Sequence, residues 1–335
     1  MNTKALEEIA KNLVAEDKGI LAADESTGTI TKRFEKIKVE SNEANRRAYR
    51  ELLFSTPDFA KYISGVILFD ETIRQKTATG VMFTFLLQEK KVIPGIKVDQ
   101  GTVPLVGGGP DEVATTGLDG LGERLVEYYQ LGARFAKWRA VIKIGVETPT
   151  DLCLETNANL LAKYAKLCQE AGIVPIVEPE VLMDGSHSIE RCYEVTVLTL
   201  KKVFSALKTE GVFLPGIILK PNMVIAGSES EKAPTELVAE MTLRCLRETV
   251  PAEVPGIVFL SGGQSEVEAT VNLQTINHLK GDAPWKLSFS YGRALQTSTL
   301  QAWSGKLENV ELAQTEFKKR AEMNHLATKG QYQGE

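Results

Sequence analysis

The sequence predicts an α/β fold, a (β/α)8 TIM barrel. Three observations point there. Eight short apolar runs recur along the chain, most of them opened by Gly or Pro as at a turn entering a strand. Helical periodicity fills the stretches between them. Polar residues stand at the C-terminal ends of the runs, where barrels of this kind keep their chemistry. A doubly wound open sheet is the rival. It usually has fewer repeats, and no G-x-G-x-x-G turn follows the first run here.

The elements follow in order. MNTKALEEIAKNLV predicts an amphipathic helix over about 2–15. The runs GILAAD (19–24) and SGVILFD (64–70) end in Asp24 and Asp70. PGIKVD (94–99) carries Lys97 and Asp99, and GGGP at 107–110 reads as a plain loop. In ARFAKWRAVI (133–142), strand alternation puts Lys137 and Arg139 on one face with Trp138 opposite. NANLLAKYAKLCQEAG (157–172) reads as a helix with Leu160, Leu161, Tyr164, Leu167 and Cys168 on one face, stopped by Gly172.

GIVPIVEPEV (172–181) places Glu178 and Glu180 on a shared face, and PGIILKP (215–221) ends at Lys220. PTELVAEMTLRCLRETV is again helical. PGIVFLSG (255–262) leads to Ser261 and Gly262, and the next helix opens with Ser265 and Glu268 at capping-box spacing. KLSFSYG (286–292) supplies Ser290 and Gly292, followed by Arg293, and a short tail is expected over about 326–335. The whole, 1–335, reads as one domain, since α/β barrels run this long as a unit.

Composition narrows the function. With 335 residues, 43% hydrophobic and 25% charged, the chain is ordinary globular material. A net charge of −5 argues against a nucleic-acid partner, but leaves room for a small basic pocket for an anionic metabolite. Four cysteines without a CxxC read as reduced core thiols of a cytosolic protein. Three scattered histidines are too few for a His-rich metal site, so neither metal nor cofactor is expected. No apolar run reaches the roughly 18 residues of a membrane span. The N-terminus lacks a signal peptide's apolar core and a transit peptide's acid-poor character. A cytoplasmic location is expected, with no membrane partner.

The strand ends carry the chemistry. A single charge in such a place is usually a structural ion pair. Many at one end of one barrel are not, because ionised groups are expensive to bury. Lys220, ending an apolar run, fits an amine shielded from water and crowded by a second cation such as Lys137, both of which favour the neutral, nucleophilic form. It could add to a carbonyl and form a Schiff base, whose protonated imine stabilises a carbanion. Glu178 is the candidate proton donor for loss of water. The SGGQSE and SFSYGR segments read as a phosphate site, since loops after the seventh and eighth strands bind phosphate in this fold.

The strings KGILAADESTGTI, NRRAYRELLF, GVILFDET, GIKVDQG, GLDGL, FAKWRAVIKIG, AGIVPIVEPE, LKPNMV, FLSGGQSE and FSYGRALQ, in that order, resemble the class I, Schiff-base-forming fructose-bisphosphate aldolases from about residue 15 to 332. The resemblance implies Lys220 as the Schiff-base lysine and Glu178 as acid/base with Glu180 beside it. Asp24 would handle the C4-hydroxyl proton. Lys137 and Arg139 would line the carbonyl and the distal phosphate, with Ser26, Thr29 and Lys97 completing the C6-phosphate side. Ser261, Gly262, Ser290, Gly292 and Arg293 would hold the C1-phosphate. The substrates implied are phosphorylated sugars, and the assembly a homo-oligomer, commonly a tetramer.

Three departures stand out. Thr29 replaces a serine and keeps the hydroxyl. Gln100 stands where many relatives have lysine. The sequence given stops at GQYQGE, without the further tyrosine-ended tail of many eukaryotic members that helps protonate the carbanion; Tyr332 is not assigned that role. Alternatives are a Schiff-base aldolase preferring sedoheptulose 1,7-bisphosphate or fructose 1-phosphate, or a non-catalytic scaffold on the same fold.

Overall fold

The computed structural model describes residues 1–335 with the exception of the Glu16 side chain. In chain order the strands are β1 (Gly19–Ala23), β2 (Ile63–Leu68), β3 (Ile93–Lys97), β4 (Thr102–Pro104), β5 (Val113–Thr115), β6 (Phe135–Ile142), β7 (Val174–Val181), β8 (Ile218–Leu219), β9 (Gly256–Phe259) and β10 (Lys286–Tyr291). All but β4 and β5 are parallel and close a barrel in the order β1-β2-β3-β6-β7-β8-β9-β10, with β10 back beside β1. Helices pack around it, as the eight apolar runs predict.

The N-terminal helix Thr3–Leu13 begins at Asn2, whose side chain accepts from the Ala5 N–H at 3.2 Å. Its buried Leu6, Ala10 and Leu13 seal the N-terminal mouth of the barrel. They pack on the inward-pointing Ile20, Ile67, Phe135, Val174, Ile176, Ile218 and Val258. The Phe135 ring fills the lumen so fully that a Cβ on Gly95 would lie 2.3 Å from it. Alternation then carries the same inward face upward. Phe135 is followed on that face by Lys137 and Arg139, Ile176 by Glu178 and Glu180, Ile218 by Lys220, and Ala22 by Asp24. One end of the lumen is therefore dry and apolar, and the other is lined with charge.

Some boundaries differ from expectation for physical reasons. β8 is only Ile218–Leu219, because Leu214–Gly216 around Pro215 forms a 3-10 turn. The Lys220 N–H still reaches the Val177 carbonyl at 2.8 Å, after which Pro221 has no N–H to give. β2 stops at Leu68 because Asp70 starts a helical turn, Asp70–Ile73.

The GGGP stretch is a loop, as expected, and it lies within the connection of an antiparallel hairpin that the sequence did not predict, in which Thr102 faces Thr115 and Pro104 faces Val113. The helix expected from Asn157 starts at Asp151, capped by the Thr150 hydroxyl. Asn157 is interior to it: its amide donates to the Val113 carbonyl at 2.8 Å, tying the hairpin to the helix. Leu161, Tyr164 and Cys168 are buried as expected, whereas Leu160 and Leu167 are half-buried.

The Ser265/Glu268 capping box forms at the head of the helix Glu266–Leu279. All four cysteines are buried free thiols. The final helix, Val310–Thr328, runs into the expected tail, and the remainder is docked. The Tyr332 N–H donates to Gln274 at 2.9 Å, and Glu335 pairs with Lys319 at 3.2 Å and with Arg320. Among the described residues, no helix is long and apolar enough to cross a membrane.

Candidate active site

The fourteen residues given a catalytic or phosphate-binding role from the sequence all line one cleft of 420 Å³ at the C-terminal end of the barrel. Its floor is a set of buried charges. Lys220, just past β8, is 4% exposed, and its Nζ lies 3.0 Å from Glu178 Oε1. The other oxygen of Glu178 faces Lys137 Nζ at 3.4 Å. Lys137 also meets Asp24 at 2.8 Å and Asp99 at 3.6 Å.

The sequence leads one to expect a second cation pressed against Lys220. Instead, its partner within ion-pair distance is the Glu178 carboxylate, which Lys220 shares with Lys137. The register explains this. Arg139 on β6 pairs with Glu178 on β7, and Ile176 on β7 with Ile218 on β8, so the next inward residues of all three strands converge.

The electrostatics of the floor follow from these contacts. Burial works against a charge on Lys137, but Asp24, Glu178 and Asp99 outweigh it and raise the ammonium above the usual lysine range. Burial likewise disfavours the Asp24 carboxylate. Lys137, Lys220 and Lys97 overcome it and hold Asp24 well below the usual carboxylate range. Glu180 is buried and paired with Arg139 Nε. Burial opposes the Arg139 charge, and Glu180 more than restores it. The arrangement is thus a row of amines with carboxylates between them, suited to carbonyl addition and proton shuttling.

Two rims of the cleft suit anions. On one, Ser26 caps the helix Thr27–Glu35, and its hydroxyl lies 3.1 Å from that of Thr29. Lys97 at the end of β3 stands nearby, its Nζ 2.8 Å from the Asp99 carboxylate. On the other rim, Gly262 adopts a left-handed φ of 57°, which keeps this turn small, and its carbonyl accepts from Arg293. The Ser290 hydroxyl is buried with no hydrogen-bond partner among the described residues. Gly292 caps the helix Arg293–Trp303, whose first N–H groups carry the positive end of the helix dipole. Burial lowers the Arg293 pKa, and Arg33 and Arg139 nearby lower it further, so a bound anion is the natural complement.

Sequence reasoning noticed Asp99 at a strand end but gave it no role; it proves to hold both Lys97 and Lys137. It missed Arg33, which lines the cleft beside Gly292 and is fixed by buried Glu25, itself bound to Arg50 at 2.6 Å. The acid and bases of that triad lie in ADES and in the following helices, so spacing alone does not join them. Asp70, another strand-end acid, is not in the cleft: it accepts from Arg74 and from the Tyr128 hydroxyl, each at 2.9 Å. Tyr332 lies against the helix Glu266–Leu279 and does not line the cleft.

The chain matches the family model Fructose-bisphosphate aldolase class-I over residues 5–335. It is 60% identical over 319 residues to cytosolic fructose-bisphosphate aldolase 4 of Arabidopsis thaliana, covering 95% of this chain and 81% of that one. It is 55% identical over 336 residues to a probable fructose-bisphosphate aldolase class 1 of Xanthomonas campestris, covering 100% of both. Its fold superposes with a TM-score of 0.97 on a fructose-bisphosphate aldolase from Plasmodium falciparum, solved with TRAP and a small-molecule inhibitor. That likeness has 54% sequence identity and covers 99% of this chain and 96% of the other.

Proposed function

The chain belongs to the class I fructose-bisphosphate aldolases, which reversibly cleave D-fructose 1,6-bisphosphate to glycerone phosphate and D-glyceraldehyde 3-phosphate through a lysine Schiff base, and on that premise we propose that Lys220 is the lysine and the residues around it the machinery. One observation carries the assignment: the Lys220 amine and the Glu178 carboxylate, each 4% exposed, lie 3.0 Å apart on the cleft floor.

Lys220 Nζ, once neutral, adds to the C2 carbonyl. The C2 oxygen takes a proton and leaves as water, with Glu178 as the donor, and the C2=N bond forms. Lys137, held charged by three carboxylates, polarises the carbonyl oxygen. The ionised Asp24 takes the proton from the C4 hydroxyl. The C3–C4 bond breaks, and its electron pair flows into the protonated imine. Arg139 is oriented by Glu180. Ser26, Thr29 and Lys97 hold the C6-phosphate, and Ser261, Gly262, Ser290, Gly292 and Arg293 the C1-phosphate. After the aldehyde leaves, protonation at C3 and hydrolysis of the imine release glycerone phosphate and restore the amine.

The proposal extends to a single domain over 1–335. It extends to a homotetramer, by resemblance to the family, and to a cytoplasmic location, in line with cytosolic and cytoplasmic isozymes among the relatives. Light scattering on the purified protein checks the tetramer. Reduction with borohydride in the presence of glycerone phosphate, followed by peptide mapping, tests the site. A covalent adduct on Lys220 is expected; label on Lys137 or Lys143 instead overturns the assignment.

A further inference from the structure

Five buried or half-buried charges form an unbroken alternating chain across four strands. Lys97 meets Asp99 at 2.8 Å, Asp99 meets Lys137 at 3.6 Å, Lys137 meets Glu178 at 3.4 Å, and Glu178 meets Lys220 at 3.0 Å. One end of the chain is the proposed distal-phosphate lysine and the other the proposed nucleophile. Asp99 is the link between them, and in the mechanism above it only helps Asp24 and Glu178 to keep Lys137 charged. Its side chain is 6% exposed, so its charge is balanced by protein groups and not by bulk water.

The groups facing it are few. Lys97 donates both to its carboxylate and, at 2.8 Å, to its backbone carbonyl. Lys137 and the Arg139 N–H approach from β6, the latter at 3.4 Å. The Asp24 carboxylate acts on it from β1, and the Tyr164 phenol from the helix Asp151–Glu170.

We propose that Asp99 is a positioning residue that couples filling of the distal-phosphate site to release of the proton on Lys220. This rests on the assignment of Lys97 and Lys220 given above. In the structure Lys97 pairs with Asp99, and Lys137 divides itself between Asp24, Glu178 and Asp99. A phosphate dianion at the distal site competes for the Lys97 ammonium. Asp99, losing that partner, draws Lys137 closer. Glu178 then has only Lys220 close by and becomes the better proton acceptor. The proton passes from Lys220 Nζ to Glu178 Oε1: one N–H bond breaks, one O–H bond forms, and the charges of both groups are cancelled. The products are the neutral amine needed for attack and the carboxylic acid needed to expel water. The enzyme thereby arms its nucleophile when a sugar with a second phosphate has seated.

The test compares fructose 1,6-bisphosphate with fructose 1-phosphate, which lacks the distal phosphate, in the wild type and in Asp99→Asn. The carboxamide keeps the shape and an acceptor for Lys97 but removes the charge. The wild type is expected to turn over the bisphosphate faster. In Asp99→Asn, kcat for the bisphosphate should fall on the order of tenfold, the usual size of coupling between two sites. That for fructose 1-phosphate should change about twofold or less, so that the discrimination in kcat collapses. Lys97→Met provides an independent arm. It frees Asp99 as a phosphate would, and should raise kcat on fructose 1-phosphate severalfold while raising KM for the bisphosphate.

Equal losses on both sugars in Asp99→Asn, a wild type that turns both over equally fast, or a fall on fructose 1-phosphate in Lys97→Met would each overturn the coupling. Borohydride trapping of glycerone phosphate in the wild type and both variants separates this from the underlying reading. Label on Lys220 with any of those kinetic outcomes sinks the coupling alone, whereas absence of label on Lys220 in the wild type sinks the reading beneath it.

Discussion

Lys97 and Lys137 are direct register partners on adjacent strands β3 and β6, and both of their ammonium groups lie within ion-pair distance of the single carboxylate of Asp99. Two like charges at paired positions of parallel strands repel each other. A third residue, two positions beyond the first lysine, turns that repulsion into a bridge. The consequence is that both ammonium groups answer to one carboxylate, so that a change in the partner of either is felt by the other.

Replacement of the proposed nucleophile should separate folding from chemistry. Lys220→Met removes a buried charge and leaves an unbranched chain in its place, so the barrel should form normally by circular dichroism. Cleavage of fructose 1,6-bisphosphate should drop by about 10⁴-fold or more, as expected when a covalent step is abolished. Turnover within about tenfold of the wild type would refute the role given to Lys220.

Arg293→Ala should weaken the proposed C1-phosphate site without disturbing the reacting atoms. A charge-assisted hydrogen bond is worth about 1.5–3 kcal/mol, which corresponds to roughly a 10- to 100-fold rise in KM with a smaller change in kcat. Inhibition by inorganic phosphate should weaken in parallel. A KM that stays put would place the phosphate elsewhere.

The Asp24–Lys137 pair makes the stability of the fold depend on pH in a defined direction. Asp24 has a folded-state pKa below its unfolded value of about 3.9. Its contribution is therefore fully present above about pH 4 and is lost as acid approaches the folded value. Lys137 has a folded-state pKa above its unfolded value of about 10.4. Its contribution is present below about pH 10 and fades as the solution becomes more alkaline. Asp24→Asn should thus be less stable than the wild type at pH 7, by about 2 kcal/mol. The gap in urea midpoints should hold down to about pH 4 and then narrow steadily as the pH falls toward the folded value. A gap of constant size from pH 7 down to about pH 2 would contradict the linkage.

Gly95→Ala probes the dry half of the lumen. Its Cβ would lie 2.3 Å from the Phe135 ring, which is walled in and has nowhere to go. Overpacking of this kind costs about 1–3 kcal/mol. Combining it with Phe135→Leu should recover part of the loss in chemical denaturation. If the double variant is no more stable than Gly95→Ala alone, the clash is not the cause.

Much of this could be read from the chain because the barrel imposes simple periods. Lys220, Glu178 and Lys137 are visible because each is the first charge after an apolar alternation that runs toward one mouth. The role of Asp99 was not visible, because it depends on β3 lying beside β6, and the hairpin β4–β5 and the helix Leu121–Gln130 separate the two in sequence. The triad of Glu25, Arg33 and Arg50 is hidden for the same reason, since it joins residues of a loop and two helices. The helix start at Asp151 was obscured by Asn157, a residue type that normally marks a helix edge but here satisfies the neighbouring hairpin from within.

The ring of strands is completed only where Ile20 meets Ser290. A ribosome must therefore make nearly the entire polypeptide before the first strand finds its second neighbour. Until then both borders of the nascent sheet are open to pairing with other chains. Contacts so distant in sequence are also slow to form. A cell making this protein should depend on chaperones most during that interval, and damage to the stretch 286–289 of β10, which lies outside the cleft lining, should raise aggregation during synthesis far more than it lowers the catalytic quality of molecules that succeed in closing.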